Sequence, residues 1–143
     1  MSTPRIFLAL LLVTLTACDR TSSQAENQLF TANARAQGSP NVDVIVTEVE
    51  RKERTSIVDV QFNYGPSVAS SVFIACSFAK LAKLRGYRYT VQVEDYGKEG
   101  RYLIGFISSI SKEAIAALGM EFAKHGVSQV LDNGMFEPIC QKS

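Results

Sequence analysis

The chain has 143 residues, of which 46% are hydrophobic, 9% aromatic and 20% charged, and its formal net charge is +1. This length holds one ordinary domain with its own core, and the composition is that of a soluble globular protein. The near-neutral charge argues against long-range electrostatic capture of nucleic acid or of an anionic membrane surface.

The N-terminal segment divides into three zones. A short positive region contains Arg5, an apolar run follows from Ile6 to Val13, and the run ends on the small residues Thr16 and Ala17 before Cys18. This order is typical of a secretory signal peptide. A helix from Ile6 to Ala17 would rise only about 18 Å against a hydrocarbon core of roughly 30 Å. We therefore predict a signal peptide over residues 1–17 rather than a permanent membrane span.

The end of this segment, Leu15-Thr16-Ala17-Cys18, resembles the lipobox of bacterial lipoproteins. The resemblance covers residues 1–19 and implies that Cys18 becomes the first mature residue and carries lipid on its thiol. It also implies a membrane anchor on the periplasmic side of the cell membrane, because two or three acyl chains hold almost irreversibly. The alternative is an ordinary signal peptide followed by an unmodified Cys18.

The residue after the lipobox is Asp19. An aspartate at this place resembles the signal that retains lipoproteins in the inner membrane of enteric-type bacteria, so the inner membrane is favoured over the outer one. The alternative is that Asp19 is merely a polar residue. Removing the signal peptide also removes Arg5, which leaves 14 basic and 14 acidic residues.

The two remaining cysteines are Cys76 and Cys140. Once Cys18 is assigned to lipid, they form an even pair in an oxidising compartment, which favours a disulfide bond. The alternative is two buried free thiols.

Residues 18–41 are interpreted as the lipidated cysteine and a flexible tether. They are rich in Ser, Thr, Asn, Gln and Ala, and Gly38-Ser39-Pro40 closes the segment. A coil of about 23 residues has a reach near 26 Å. We expect a single folded domain over residues 42–143.

Alternating apolar residues predict four strands in two hairpins. Gly65-Pro66-Ser67 separates the hairpins and starts a helix of about 18 residues that ends at Gly86. That helix is apolar nearly all round, which favours central burial over a membrane-associated segment. The strands are predicted over 42–47, 58–64, 87–93 and 102–106.

A second helix is predicted from Ser111, its N-cap, to about His125, with Gly126 beyond its end. Asp132-Asn133-Gly134 suggests a further small hairpin within Val127 to Ile139. The resulting order, ββαββα, predicts an α+β two-layer domain with an antiparallel sheet of about four strands and both helices on one face.

Candidate catalytic groups are few. His125 is the single histidine of the chain, and its place near a predicted helix C-terminus favours a structural or solvent-exposed role. Glu48, Glu50 and Glu53 lie in or beside a charged turn, where solvated ion pairs are expected rather than a catalytic carboxylate pair. We therefore expect no enzymatic activity, no metal site and no cofactor.

The candidate binding surface interleaves basic and aromatic residues across two paired strands. Such a face can present a hot spot to a protein, although cross-strand packing with solvated arginines is the alternative. The residues are Arg85, Tyr87, Arg88, Tyr89, Arg101 and Tyr102.

These features favour a membrane-tethered binding or assembly module whose partner is an envelope protein rather than a nucleic acid. An inhibitor, exclusion or ligand-binding lipoprotein is the second hypothesis, with the turn from Asp95 to Gly100 as its inserting loop.

Overall fold

The computed structural model describes residues 28–141. The predicted signal peptide, Cys18 and Asp19 lie outside the described residues. The strands are β1 Thr31–Asn33, β2 Val44–Arg51, β3 Thr55–Phe62, β4 Tyr89–Val93, β5 Arg101–Ile107 and β6 Leu131–Asp132. The helices are α1 Val68–Leu84, α2 Lys112–Ala116 and α3 Glu137–Cys140, with 3-10 turns at Val127–Gln129 and Asn133–Phe136.

The six strands form one curled antiparallel sheet in the order β1-β2-β3-β5-β4-β6. The two predicted hairpins are confirmed: β2 pairs with β3, and β4 pairs with β5. The mixed α+β class is also confirmed, but the sheet has six strands rather than four. The additional strands, β1 and β6, have three and two residues, which is too short for an alternating pattern to reveal them.

The start of the sheet corrects the predicted extent of the tether. The strand β1 falls inside residues 18–41, yet it pairs with β2 through the register Thr31↔Thr47 to Asn33↔Ile45. Phe30 and Ala32 are buried in the same core as β2 and β3. The folded domain therefore includes residues that the sequence analysis assigned to the tether.

The helix α1 begins and ends where the sequence predicts. Ser67 caps it through a reciprocal pair of hydrogen bonds: the Ser70 amide donates to Ser67 Oγ at 3.1 Å, and the Ser67 amide donates to Ser70 Oγ at 2.7 Å. Gly86 follows the C-cap with a φ of 78°, a conformation that glycine adopts without a steric penalty.

The two main helical segments lie on opposite faces of the sheet, which corrects the predicted two-layer arrangement. Ile104 and Phe106 pack in one cluster with residues of α1. Their neighbours Leu103 and Ile107 pack in a second cluster with residues of the α2 segment. Since successive residues of a strand point to opposite faces, β5 must be covered on both sides.

The predicted second helix is much shorter than expected. Ser111 caps it as predicted, with the Ala114 amide donating to its Oγ at 3.1 Å, but the helix ends at Ala116. Gly119 then adopts a φ of 132°, which no right-handed helix contains. The turns that follow bring Phe122 into the second cluster.

The predicted C-terminal hairpin is also absent from the described residues. Asp132 Oδ1 accepts a hydrogen bond from the Gly134 amide at 3.0 Å, so Asp132-Asn133-Gly134 opens a 3-10 turn instead of joining two strands. The segment is held to β4, because Asn133 Nδ2 donates to the Arg88 carbonyl at 2.9 Å.

Candidate binding site along the first helix

The six residues of the predicted binding surface do not share one face. Arg88 forms a paired contact with Asp132, at 2.8 and 2.7 Å, and its guanidinium lies 5.6 Å from the Tyr89 ring centre. Arg101 donates to Asp59 from two nitrogens, at 2.6 and 2.9 Å. These arginines are thus engaged in ion pairs at separate places.

The two other tyrosines contribute to packing. The Tyr102 ring lies 5.1 Å from the Phe78 ring in an edge-on arrangement, and the Tyr87 ring lies 5.7 Å from the Phe106 ring. Both tyrosines pack against the cluster beneath α1, whereas Tyr89 packs on the opposite side of the sheet. This division follows the alternation of side chains along the strands.

Arg85 belongs to a buried polar cluster. Its guanidinium donates to Ser56 Oγ at 2.8 Å and to the Glu53 carbonyl at 2.8 Å, and it lies 4.9 Å from the Phe106 ring centre. Burial and the nearby charge of Arg51 lower its pKa. Arg85 is therefore a structural residue that fixes the end of α1 to the turn between β2 and β3.

Glu48 lies at the centre of this cluster and is only 1% exposed. Its carboxylate accepts hydrogen bonds from Ser56 Oγ at 2.6 Å, from the Phe30 amide at 2.9 Å and from Arg51 Nε at 2.9 Å. Burial raises the pKa of Glu48, but the hydrogen bonds from Arg51, Ser56 and the Phe30 amide outweigh it and lower the pKa overall. The expectation of a solvated Glu48 is wrong, because Glu48 continues the buried alternation of Val44 and Val46 along β2.

A groove of about 920 Å³ runs along one side of α1 and is here called the α1 groove. One stripe of the helix forms its apolar floor. The walls are the 37–42 loop and the C-terminal segment 133–141. The floor residues are Ala69, Val72, Phe73, Cys76 and Ala79.

The rim of the α1 groove carries Lys80, Lys83 and Arg88. Lys83 pairs with Glu137 at 2.8 Å, and this contact raises the lysine pKa and lowers the glutamate pKa. Within the described chain, no acidic side chain forms an ion pair with Lys80. Glu137 is the one carboxylate of the lining residues, so the rim has a local excess of positive charge.

A disulfide bond fixes the C-terminal wall of the groove. Cys76 of α1 and Cys140 of α3 are joined with a Cα–Cα distance of 5.5 Å, which confirms the predicted bond. Both cysteines line the groove, Cys76 in its floor and Cys140 in its C-terminal wall. It keeps the segment 133–141 against α1.

Both sides of α1 are apolar, but they are buried to different extents. One side is buried against the sheet and includes Phe78, Leu81 and Ala82. The other side, including Val72 and Phe73, is only partly covered, and Leu84 is 67% exposed. The central burial predicted from the all-round apolar pattern is therefore incomplete.

His125 lies beyond α2, and its Nδ1 is in hydrogen-bond contact with Gln129. Its Nε2 is buried, and no partner among the described residues reaches it. Over residues 28–141, no group of three metal-ligating side chains could hold an ion. The helices of this region are also too short or too polar to cross a membrane.

The sequence analysis missed the α1 groove, although one signal pointed to it. The floor residues recur at three- and four-residue spacing on one side of a helix whose other side is also apolar, which means that two separate surfaces must cover it.

No known protein family matches the chain, and no curated protein or solved structure is similar to it.

Proposed function

We propose that this protein is a lipid-anchored, non-catalytic binding module of the bacterial cell envelope and that it holds a partner protein in the α1 groove. The observation that carries the proposal is the half-covered apolar stripe of α1. A groove of about 920 Å³ with an apolar floor and a charged rim has the size and composition of a binding site.

The anchor is Cys18, within Leu15-Thr16-Ala17-Cys18, and Asp19 favours the inner membrane. The bond between Cys76 and Cys140 supports a periplasmic location, since disulfides persist in oxidising compartments. A module with a lipid anchor meets its partner beside the bilayer. The anchor itself needs no basic patch to hold the module at the membrane.

A binding role accounts for the described polar clusters better than catalysis does. Glu48, Ser56 and Arg85 satisfy one another in the interior, where a substrate has no access. His125 contacts Gln129 rather than a nucleophile. The polar network therefore stabilises the fold that presents the groove.

Two experiments test the proposal together. Metabolic labelling with radioactive palmitate should mark the wild type and place it in the membrane fraction, whereas Cys18→Ser should be unlabelled. A photo-crosslinking residue at position 72, in the groove floor, should capture one reproducible envelope protein. The same residue at position 120, where Met120 is 89% exposed beyond α2, is the control. Unlabelled wild type, or equal capture from both positions, would contradict the proposal.

An inhibitor role is the second candidate, and the geometry of the Asp95–Gly100 turn favours it. Asp95 has a φ of 52°, and its Oδ1 accepts a hydrogen bond from the Gly100 amide at 2.9 Å. Gly100 is fixed to β3, because its carbonyl accepts from the Val60 amide at 2.8 Å. A loop held in one conformation loses little entropy when it enters a cleft.

The inhibitor role is tested on wall-degrading enzymes. The purified protein is added to a muramidase acting on cell-wall suspensions, and the clearing of turbidity is followed. Lys98→Ala/Glu99→Ala should abolish inhibition if the turn inserts into the enzyme, and Val72→Asp, in the groove, should leave it unchanged. Inhibition that depends on Val72 and not on the turn would favour the groove instead.

A further inference from the structure

We propose that the α1 groove takes an acidic peptide segment with apolar side chains, contributed by the partner protein. This inference rests on the proposed binding function and names the chemistry of the partner. It follows from the floor of the groove, the charges on its rim and the polar groups on its walls.

The floor selects apolar side chains. Val72, Phe73 and Ala79 face the groove from α1, and Val72 and Phe73 are only partly covered. Apolar side chains of an occupant would remove this surface from water, which is the main favourable contribution to protein association.

The rim selects negative charge. Lys80 has no ion-pair partner among residues 28–141, and Lys83 and Arg88 are engaged only with Glu137 and Asp132 at the surface. The side chain of Lys83 is 77% exposed, so its pair with Glu137 is weak and can be replaced or shared. Arg88 is held at the rim by its two-point contact with Asp132. Carboxylates on the occupant would complement this excess of positive charge and steer its approach.

The walls favour a peptide over an anionic lipid. Gln37 and Ser39 line one wall, and Gln141 lines the other. Side-chain amides and hydroxyls pair with the N–H and C=O groups of a peptide backbone. An acyl chain offers no such groups and would leave these polar side chains unpaired beside it.

The test measures binding of defined probes to the full-length protein in neutral detergent micelles. The first probe is a fluorescein-labelled decapeptide that alternates glutamate and leucine. The matched probes alternate lysine with leucine and glutamate with serine, so that charge and apolar content are varied separately. Fluorescence anisotropy should show binding of the glutamate–leucine peptide alone, and the affinity should fall as salt is raised.

The variants locate this binding in the groove. Lys80→Glu should weaken the affinity about threefold, and Lys80→Glu/Lys83→Glu about tenfold. Because Lys80 forms no described ion pair, its single variant leaves the fold undisturbed. The control Lys112→Glu/Lys124→Glu reverses two exposed lysines in the α2 region and should bind as the wild type does.

Three outcomes would overturn the inference. These are equal binding of the lysine–leucine peptide, an equal loss in the control variant, or failure of the glutamate–leucine peptide to bind while phosphatidylglycerol vesicles bind through Lys80. If palmitate labelling and capture from position 72 succeed while the acidic peptide fails, the chemistry assigned to the partner is wrong but the proposed function stands.

Discussion

A buried carboxylate, Glu48, connects three distant parts of the chain. It accepts hydrogen bonds from Phe30, Arg51 and Ser56, and Arg85 lies 3.5 Å from it. A charge in the interior is tolerated only when it is paired and hydrogen-bonded on all sides. This side chain therefore adds to the backbone pairing and core packing that hold the N-terminal strand.

We expect Glu48→Gln to lower the free energy of unfolding by about 3 kcal/mol, because it leaves Arg51 and Arg85 without their buried counter-charge. Urea denaturation measures the change. The matched control is Glu50→Gln, which removes an exposed pair with Lys52 and should cost less than about 0.5 kcal/mol. Equal losses in the two variants would contradict the central role of Glu48.

Asp59 makes stability depend on pH in acid. Hydrogen bonds from Arg101 and Lys98 lower its pKa from 3.8 to about 2, against the opposing effect of burial. The folded state thus holds the ionised form more strongly than the unfolded state does. The contribution of ionised Asp59 to the free energy of unfolding is complete above pH 4 and is lost as the pH falls through 2.

The expected contribution of Asp59 at neutral pH is roughly 1 kcal/mol, since Lys98 is half exposed and solvent weakens its part. Asp59→Asn should therefore be less stable than the wild type at pH 7, and the difference should shrink towards pH 2. An NMR titration should place the carboxyl midpoint near 2 in the wild type, and Arg101→Gln should raise it. A midpoint that Arg101→Gln leaves unmoved would disprove the assignment.

At the scale of elements, the strand β5 decides the architecture. Its residues 103–107 are all buried. A strand that is covered on both faces has a continuous run of apolar residues rather than an alternating pattern. The run Leu103-Ile104-Gly105-Phe106-Ile107 is such a signal. An interpretation based on alternation alone missed it and placed both helices on one face.

Gly105 of β5 lies close to two side chains of the turns that follow α2, Leu118 and Phe122. A Cβ at this position would lie 2.4 Å from Leu118 Cδ1 and 3.0 Å from the Phe122 ring. We expect Gly105→Ala to cost about 1–3 kcal/mol through overpacking, measured by urea denaturation. Leu118→Ala in the same chain should recover part of the loss that Gly105→Ala causes on its own.

The control for Gly105 is Gly65→Ala. A Cβ at Gly65 meets nothing within 4 Å, so its stability should change little. A similar loss at both positions would contradict overpacking as the cause of the loss at Gly105.

The disulfide fastens α3 and the groove wall to α1. The bond spans 64 residues, and the chain-entropy estimate for such a loop is about 4 kcal/mol. We expect Cys76→Ser/Cys140→Ser to unfold at a correspondingly lower urea concentration. Reduction of the wild type by dithiothreitol should give the same midpoint as the double variant, and an unchanged midpoint after reduction would contradict this role.

Sequence patterns predicted the elements whose signals are local. The hairpins follow from alternation in β2 to β5, and α1 follows from its serine cap and terminal glycine. The strand β1 could not be predicted this way, because it has only three residues and its partner β2 is distant in sequence. The positions of the arginines in the candidate binding surface could not be predicted for the same reason: Arg85, Arg88 and Arg101 have acidic partners distant in sequence.

At the scale of the whole molecule, the folded N-terminal strand shortens the tether. The sequence analysis allowed about 23 residues, but the domain is already attached at Gln28, whose carbonyl accepts from Arg51 at 3.1 Å. Gln28 is ten positions beyond Cys18. A chain of ten residues reaches at most about 36 Å when fully extended.

With the proposed lipid on Cys18, we therefore expect the protein to lie close to the bilayer. Neutron reflectometry on a supported membrane should place the protein layer within about 36 Å of the headgroups, the extended limit of the tether. A glycine–serine insertion of twenty residues before Gln28 should thicken the intervening water layer. A layer that starts farther away in the wild type would show that the chain is attached elsewhere.

The hydrogen bonds at Gln28 and Phe30 have a mechanical consequence. If the proposed lipid holds Cys18 in a bilayer, any tension between the membrane and the proposed partner enters the described fold at these two residues. They are fastened by Arg51 and Glu48, and β1 lies antiparallel to β2 directly beyond them. The hydrogen bonds of Arg51 and Glu48 to these residues would then bear the tension before it reaches the α1 groove.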